Sequence, residues 1–419
     1  QRQMCIRDST GGSDIIHYGM SGLQLSNVTA GQTYSGTITS NLGEIRSNTG
    51  SAIPGNNPYA DIAGLNLRNS FLRLNFGSGA GGLNDLADSR FSTTAPISMR
   101  ASMINIENSA FNGTLTSLFD YAVAQTFGTL TLEGGANRIY IRSADAGSVT
   151  MTFADIQKPN AGVTLNLAID NLTGGATAEW GASAKHRLIN SALEAGPTTV
   201  PFVGGWAYYD SDFLKYVPVA SAGFGYRKLE AADQALNTAE NTWALGQNIR
   251  LTTTPTVTLT ANRTVQSLNM QETTGGRTLT GNPGTTLVVD SGGIITAGNQ
   301  THTISVPFLT AGAASGYELY LLGVNSNNIR SSIVDNGGNA VSLVKTGPGT
   351  SSFFANNTYT GTTYLSEGAF REPIGAKNIT ALGGGNFDMN GSGLSQAAYE
   401  TDRDFTRALG ACLLYTSPS

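Results

Sequence analysis

The stretch Leu343–Phe370, LVKTGPGTSSFFANNTYTGTTYLSEGAF, contains three short β-prone runs separated by turn residues. Gly347–Gly349 separates the first two runs, and Asn356, Asn357 and Gly361 separate the second from the third. Runs this short and this regularly interrupted are typical of one coil of a β-solenoid, where each face is a few residues long and turn residues form the corners.

The same stretch resembles the autotransporter-associated β-strand repeat. That family shows Leu-x-Lys-x-Gly-x-Gly, then an apolar pair, then Asn-x-Tyr-x-Gly and a final small-residue turn. The matching positions are Lys345, Gly347, Gly349, Asn357, Tyr359, Gly361 and Gly368. Ser351–Phe354 departs from the family's usual second Leu-rich strand. The resemblance implies a secreted, surface-displayed bacterial β-helix rather than an enzyme.

The rest of the chain repeats the pattern of short alternating strands. Turn signals recur about every ten residues, and runs such as Val149–Phe153 place apolar residues at every second position, which predicts half-buried strands. More than 400 residues is too long for one sandwich, so we predict an all-β fold, a right-handed parallel β-helix of the single-stranded β-solenoid type. The residues predicted to point inward are Leu72, Leu74, Ile97, Met99, Leu130, Leu132, Leu165, Leu167, Leu287, Val289, Val344 and Phe354, and those predicted at corners are Asn41, Asn48, Gly293 and Gly347.

The composition excludes several classes of protein. Charged residues are 13% of the chain and the formal net charge is −5, which argues against nucleic acid as a partner because such binding requires clustered Lys and Arg. No run of about twenty apolar residues is present, so the sequence predicts no membrane-spanning helix. Glycine, at 52 residues, is more frequent than usual, as expected for many turns.

The two ends are expected to lie outside the fold. Residues 1–9 and 412–419 resemble translated sequencing-adapter read-through, and they contain both cysteines, Cys5 and Cys412. We expect neither end to join a β-ladder, although a disulfide between the two cysteines is the alternative. Between them we predict coils over 10–201, an aromatic-rich excursion over 202–245, and coils over 246–411 that include the repeat at 343–370.

Residues that could perform catalysis are few. The three histidines, His17, His186 and His302, are each alone in sequence, which favours neither a triad nor a zinc site. Asp210 and Asp212 are the closest carboxylate pair in a groove-like context, and an Asx turn is the simpler interpretation. We therefore predict no catalytic residue, no metal site and no cofactor.

The aromatic cluster is the candidate binding site. Eight aromatic residues lie between Phe202 and Tyr226, where the chain average of 8% predicts two. Exposed rings on a rigid surface stack on sugars, so the predicted glycan platform consists of Trp206, Tyr208, Tyr209 and Tyr216. The alternative is a small satellite core where a loop folds back on the coils.

These observations indicate a structural or adhesive stalk, a fragment of a secreted bacterial surface protein without catalysis. Its expected location is extracellular or at the cell surface, and its expected partner is an extracellular glycan or matrix. Two alternatives remain: a glycan-active β-helix enzyme, either hydrolase or lyase, and a glycan binder of the phage tail-spike kind.

Overall fold

The structure is a computed structural model, and it describes residues 4–5, 12–19, 22–24, 34–47, 59–76, 91–108, 122–143, 148–171, 179–196, 199–219, 223–272, 274–372, 381–389 and 397–400. The chain forms two compact units. Unit 1 comprises Gln1–Asn160, Leu165–Val203 and Leu214–Lys228. Unit 2 comprises Ala161–Thr164, Gly204–Phe213 and Leu229–Ser419, so the predicted excursion over 202–245 is divided between the units.

The first half of the chain contains eighteen described strands and one short helix, α1 (Ser191–Glu194). The strands are β1 (Met4–Cys5), β2 (Ile15–Tyr18), β3 (Gly22–Gln24), β4 (Thr37–Asn41), β5 (Glu44–Ser47), β6 (Gly64–Arg68), β7 (Phe71–Asn75), β8 (Ile97–Arg100), β9 (Met103–Asn108), β10 (Ala122–Phe127), β11 (Leu130–Ser143), β12 (Ser148–Phe153), β13 (Ile156–Gln157), β14 (Val163–Asn171), β15 (His186–Asn190), β16 (Ala207–Tyr209), β17 (Asp212–Val217) and β18 (Gly225–Lys228).

Most strands of unit 1 are parallel and pair with strands one coil further along the chain, whereas β17 and β18 pair antiparallel. One row runs β2-β4-β6-β8-β11-β13, a second runs β1-β3-β5-β7-β9-β11, and a third runs β10-β12-β15. Inside, a column of rings continues from coil to coil. Tyr59, Phe91, Phe127 and Phe153 follow one another with ring centroids 6.1, 5.8 and 4.8 Å apart. The alternation of apolar and polar residues therefore places one apolar face in a shared core.

The second half of the chain contains nineteen described strands and three short 3-10 helices, Ala231–Asp233, Glu240–Thr242 and Ala313–Ser315. The strands are β19 (Gln234–Leu236), β20 (Asn248–Leu251), β21 (Thr256–Leu259), β22 (Arg263–Val265), β23 (Ser267–Glu272), β24 (Thr278–Gly281), β25 (Thr286–Val289), β26 (Gly293–Gly298), β27 (His302–Ser305), β28 (Phe308–Ala311), β29 (Glu318–Gly323), β30 (Asn327–Ile329), β31 (Ser332–Ile333), β32 (Ser342–Thr346), β33 (Thr350–Phe353), β34 (Thr363–Leu365), β35 (Gly368–Arg371), β36 (Phe387–Met389) and β37 (Ala397–Glu400).

Unit 2 forms three parallel sheets; the described coils from β20 to β31 contribute one strand to each sheet, and the later coils contribute strands to the first two sheets only. Their strand orders are β19-β20-β23-β26-β29-β32-β34-β36, β21-β24-β27-β30-β33-β35-β37 and β22-β25-β28-β31. In the first sheet from β20 onward, each strand pairs with a strand 19 to 27 residues further along. Buried apolar residues from all three sheets contribute to one core cluster. The predicted all-β architecture with parallel coil-to-coil pairing is thereby confirmed, and this arrangement is the one seen in β-solenoids.

Two of the predicted inward positions are wrong. Phe353 is fully buried and stacks on Phe370 at 3.9 Å, whereas Phe354 is half-buried outside the core, with the guanidinium of Arg330 4.3 Å from its ring centroid. Val344 is buried, but the core cluster contains its neighbour Leu343 instead. When two adjacent residues of a strand are both apolar, the sequence does not show which of them faces the core, because a shift by one residue moves every side chain to the opposite face of the sheet. The other ten residues are buried as predicted.

Val344 is buried because the first sheet of unit 2 is covered on its outer face. The segment Ala161–Thr164 belongs to this unit, and the backbone N–H of Gly162 donates to Glu318 Oε1 at 2.6 Å. A Cβ atom built on Gly162, whose φ is +72°, would lie 2.3 Å from a ring carbon of Tyr364. The outer face of this sheet is therefore part of the folded structure rather than a solvated surface.

The predicted corners and ends show further differences. Gly347 lies at a corner as predicted, with φ of +78°. Asn41 and Gly293 lie within β4 and β26, and Asn48 lies outside the described residues. The expectation that residues 1–9 join no β-ladder is wrong, because β1 pairs in parallel with β3 through Met4 and Leu23. Residues 412–419 lie outside the described part of the chain.

Candidate functional site

The aromatic segment begins with a β-hairpin, unlike the parallel coils on either side. β16 and β17 pair antiparallel through Tyr208–Phe213 and Tyr209–Asp212, and a two-residue turn at Asp210 and Ser211 connects them. Asp210 has φ of +53°, the left-handed conformation that short hairpin turns use and that Asp tolerates. The segment then continues antiparallel from β17 to β18.

Burial contradicts the predicted sugar platform at three of its four residues. Tyr208 is 3% exposed, Tyr209 is 6% exposed and Tyr216 is fully buried, so a sugar ring cannot reach their faces. Trp206 is half-buried, and its indole packs close to Gly204, where a Cβ atom would lie 2.5 Å from Nε1. Three of the four predicted platform residues are therefore enclosed within the fold, and sugar binding at Trp206 stays a prediction.

Polar side chains fix the tip of the hairpin to unit 2. Asp212 Oδ1 lies 3.0 Å from Arg250 Nη1 and accepts a hydrogen bond from Asn269 Nδ2 at 2.9 Å. Asn269 also donates to the backbone oxygen of Ser211 at 2.9 Å, and Gln271 Nε2 donates to Ser211 Oγ at 3.0 Å. A buried carboxylate with an arginine partner and an amide donor is a structural anchor, because its charge is compensated where it stands.

The same geometry separates the two carboxylates considered for acid–base catalysis. Asp210 is exposed on the turn, whereas Asp212 is buried beneath it in contact with Arg250. A glycosidase needs both carboxyl groups facing one sugar, with one of them held protonated. The two carboxylates therefore differ in environment, and only Asp212 takes part in anchoring the hairpin.

Tyr216 belongs to a polar cluster inside unit 1. Its hydroxyl donates to Glu194 Oε1 at 2.5 Å and accepts from the backbone N–H of Asn190 at 3.2 Å. Burial raises the pKa of Tyr216, and the hydrogen bond to Glu194 raises it further. Burial also raises the pKa of the neighbouring Tyr226 to about 12. Both phenols therefore stay protonated at neutral pH: the Tyr216 hydroxyl donates to Glu194, and the Tyr226 hydroxyl accepts a hydrogen bond from Asn190 Nδ2 at 3.2 Å.

The repeat stretch places a lysine in the core of unit 2. Lys345 is in register between Leu321 and Leu365 and is fully buried, in a column whose next members, Ile294 and Met389, are also apolar. Its Nζ donates to the backbone oxygens of Thr346, Gly347 and Glu367 at 2.9, 2.8 and 3.1 Å. These oxygens belong to two successive coils, so the amine joins one corner to the next. Burial lowers the pKa of Lys345 to about 7, while the Glu367 carboxylate acts in the opposite direction.

The glycines of the repeat allow successive corners to approach closely. A Cβ atom on Gly347 would lie 2.5 Å from the backbone oxygen of Gly323, and one on Gly349 would lie 2.2 Å from that of Asn325. The backbone N–H of Gly349 donates to Gly323 at 2.9 Å. Any larger residue at these two positions would push the coils apart, which is the physical reason for the glycine spacing.

Asn357 connects three coils at another corner. Its Oδ1 accepts from the backbone N–H of Ile333 at 2.8 Å, one coil earlier, and its Nδ2 donates to the backbone oxygen of Ala381, one coil later. Tyr359 is fully buried, and its hydroxyl lies 2.5 Å from Thr363 Oγ1. Contacts between stacked coils thus give a physical reason for Asn357 in the repeat.

The histidines are buried individually. His302 accepts from the backbone N–H of Arg277 at Nδ1, 3.1 Å away, and lies 2.7 Å from the oxygen of Ala297 at Nε2. Burial lowers the pKa of His302, and the nearby Arg277 lowers it as well. His17 is 3.4 Å from Ser40 Oγ. Within the described residues, no three His, Cys, Asp or Glu side chains are grouped as metal ligands require.

Sequence reasoning identified the repeat residues but missed how they act. Lys345 was placed in the motif without its inward direction, and the signal available was its position two residues after Leu343 in an alternating run. The anchor of Asp212 to Arg250 joins residues 38 positions apart, and no local pattern predicts it. None of the helices in the described residues has the length and hydrophobicity that crossing a membrane requires.

Comparison with known proteins gives one distant similarity. The chain is 30% identical over 278 residues to the adhesin BmaC autotransporter of Brucella suis biovar 1 (strain 1330). The matched region is 64% of this chain and 7% of that protein, so the chain spans a small part of the relative it matches. No family model matches the chain. No solved structure matches it either. The chain is therefore similar, at a distance, to part of an autotransporter adhesin.

Proposed function

We propose that the chain is part of an adhesive passenger displayed on a bacterial surface, that its coils form a right-handed β-helix, and that it acts without catalysis. The observation that carries the proposal is the parallel stack of coils in unit 2, together with the similarity to an autotransporter adhesin. The partner is an extracellular glycan or matrix component.

The physical basis of such a function is a rigid scaffold of stacked coils. In unit 2 the backbone groups of one coil bond to the next, and a continuous apolar core lies inside. Long parallel ladders of this kind leave few extended segments free for proteases, and their outer faces offer broad surfaces for contact. Adhesion would then depend on which outer faces remain uncovered.

Absence of catalysis is part of the proposal, and it is supported by the use of Asp212 as an anchor to Arg250. The test is incubation of the purified chain with a panel of neutral and acidic polysaccharides, followed by measurement of new reducing ends and of unsaturated products. We expect none. Product formation that is lost in Asp210→Asn or Asp212→Asn would replace this proposal with a glycan-active enzyme.

Adhesion is tested by displaying the chain on a bacterium through an autotransporter barrel. Binding of these cells to immobilised glycans, collagen and fibronectin is compared with that of cells displaying an unrelated β-solenoid through the same barrel. We expect at least tenfold more cells retained on one of these surfaces, and purified chain should compete for it. Equal retention by both displayed proteins on every surface would refute the adhesive role.

A further inference from the structure

One outer face of unit 2 carries a regular array of hydroxyl groups. Three adjacent strands of its second sheet contribute a pair each: Thr256 and Thr258 from β21, Thr278 and Thr280 from β24, and Thr303 and Ser305 from β27. We call these six residues the threonine face. Their partners in register are Thr256–Thr278–Thr303 in one row and Thr258–Thr280–Ser305 in the other.

The array has a defined spacing in two directions. Parallel strands lie about 4.8 Å apart, and alternate residues along a strand lie about 6.6 Å apart. The pairings of β21, β24 and β27 follow one another without a shift of register, and the residues between the hydroxyls, Val257, Leu279 and Ile304, are buried in the core. A β-branched side chain has few χ1 rotamers, so each threonine holds its methyl and hydroxyl groups in nearly fixed directions.

The threonine hydroxyls of this face are available to a partner. Thr256 and Thr258 are exposed, and Thr278, Thr280 and Thr303 are partly exposed. Among the interactions that the described structure records, none uses the hydroxyl group of these five threonines, whereas Ser305 Oγ donates to the backbone oxygen of Leu279 at 3.3 Å. The first row continues in register through Asn328 and Ser352 before it reaches a charged residue, Arg371.

The chemistry of the face selects the kind of partner. In the described coils its six positions carry no charge, so an ionic polymer or an anionic lipid surface gains no electrostatic attraction there. They also carry no aromatic ring, which is what usually stacks on a sugar. The face is instead a rigid, uncharged, two-dimensional array of hydroxyl and methyl groups. Such an array complements a partner whose surface is also uncharged and carries hydrogen-bond donors and acceptors at regular intervals, because all the hydroxyl groups can then form hydrogen bonds at the same time.

We propose that the threonine face binds ice. A hydrogen bond mediated by an ordered water is nearly as favourable in enthalpy as a direct one. Its entropic cost is small when the hydroxyl groups that hold the water are already fixed. Rows of such water, kept in place by the methyl groups between them, can merge with the oxygen net of an ice plane. Ice would be a partner in addition to the glycan or matrix proposed above, and its binding does not depend on adhesion.

The experiment measures partition into ice. Ice is grown slowly in a solution of the fluorescently labelled full chain, and the ratio of label in ice to label in liquid is compared with that of labelled serum albumin. Thr258→Tyr and Thr280→Tyr disturb the face, and Thr264→Tyr places the same side chain on another sheet of unit 2. Thr258 is exposed, so its variant keeps the fold even where Thr280→Tyr does not, and thermal unfolding checks each one.

We expect the unchanged chain and Thr264→Tyr to be enriched in ice at least fivefold over albumin, and Thr258→Tyr to fall to the albumin level. Enrichment of the unchanged chain no greater than that of albumin overturns the proposal, as does full enrichment of a folded Thr258→Tyr. Sedimentation with microcrystalline cellulose or chitin, lost in Thr258→Tyr and without enrichment in ice, would assign the face to a crystalline polysaccharide instead.

Discussion

The buried amine of Lys345 makes the stability of unit 2 depend on pH between neutrality and pH 9. Its pKa in the folded chain is about 7, because burial disfavours the charged form. An unfolded lysine has a pKa of about 10.4. Between these two values the unfolded chain binds more protons than the folded chain. The free energy of unfolding therefore rises as the pH rises from 7, and this gain is lost as the pH falls back.

The size of the effect follows from the two pKa values. Each pH unit within this window changes the free energy of unfolding by about 1.4 kcal/mol, and Lys345 is only partly deprotonated at pH 7, so the gain from pH 7 to pH 9 is about 2 kcal/mol. Tyrosines titrate near pH 10, so the measurement stops below that value.

The assay is urea unfolding at pH 7, 8 and 9, followed through tryptophan fluorescence, to which the buried Trp243 of unit 2 contributes together with Trp180 and Trp206. The comparison is Lys345→Met, which keeps an unbranched chain between Leu321 and Leu365 but has no proton to exchange. We expect the variant to be less stable at pH 9, because the backbone carbonyl oxygens at the corner lose the two N–H donors of the neutral amine, and to lack the pH-dependent gain. An equal gain with pH in both proteins would show that Lys345 is not the titrating group.

Three further substitutions test the contacts between coils. Asn357→Ala leaves a buried N–H and a buried carbonyl without partners and should cost about 2–6 kcal/mol in urea unfolding, whereas Asn299→Ala, at an exposed corner, should change stability by less than about 0.5 kcal/mol. Gly162→Ala should lower the thermal midpoint more than Gly316→Ala does, by the equivalent of about 1–3 kcal/mol. Both glycines have positive φ, but only a Cβ atom at residue 162 would meet the ring of Tyr364. Equal decreases in the two thermal midpoints would contradict that explanation. Burial lowers the pKa of His302, so the free energy of unfolding should fall as the pH drops below about 6.5. Thermal unfolding at pH 7 and pH 5 should therefore show a smaller decrease of the thermal midpoint in His302→Gln than in the unchanged chain. An undiminished fall in that variant would assign the acid sensitivity to another group.

The local alternation of apolar and polar residues was sufficient to predict the strands, but it was not sufficient to predict the candidate site. Alternation such as that in Val149–Phe153 depends only on neighbouring residues, and it predicted the buried set of most strands. It failed where two apolar residues are adjacent, as in Phe353–Phe354, because either phase fits the pattern. The burial of Tyr216 depends on Asn190 and Glu194 in a different element, and no spacing rule in the sequence contains that information.

The threonine face could not be predicted from the sequence, although its residues are visible there. Thr256, Thr278 and Thr303 are separated by 22 and 25 residues, so their alignment is invisible until the pairing of the strands is known. Each Thr-x-Thr or Thr-x-Ser pair is visible in the sequence, but in a chain this rich in threonine it carries little information by itself. The site therefore emerges from register, which only the folded coils define.

The unequal spacing of paired strands in unit 2 has an evolutionary consequence. Because each position in the stack is held by contacts with the coils on either side, the number of residues between contacts is under weak selection. Segments such as Val334–Ala340, where Asn336 and Asn339 pair across Gly337 and Gly338, can lengthen while the flanking strands keep their partners. New loops can therefore be acquired by insertion at such corners, and the outer surface can vary while the stacked strands that support it stay the same.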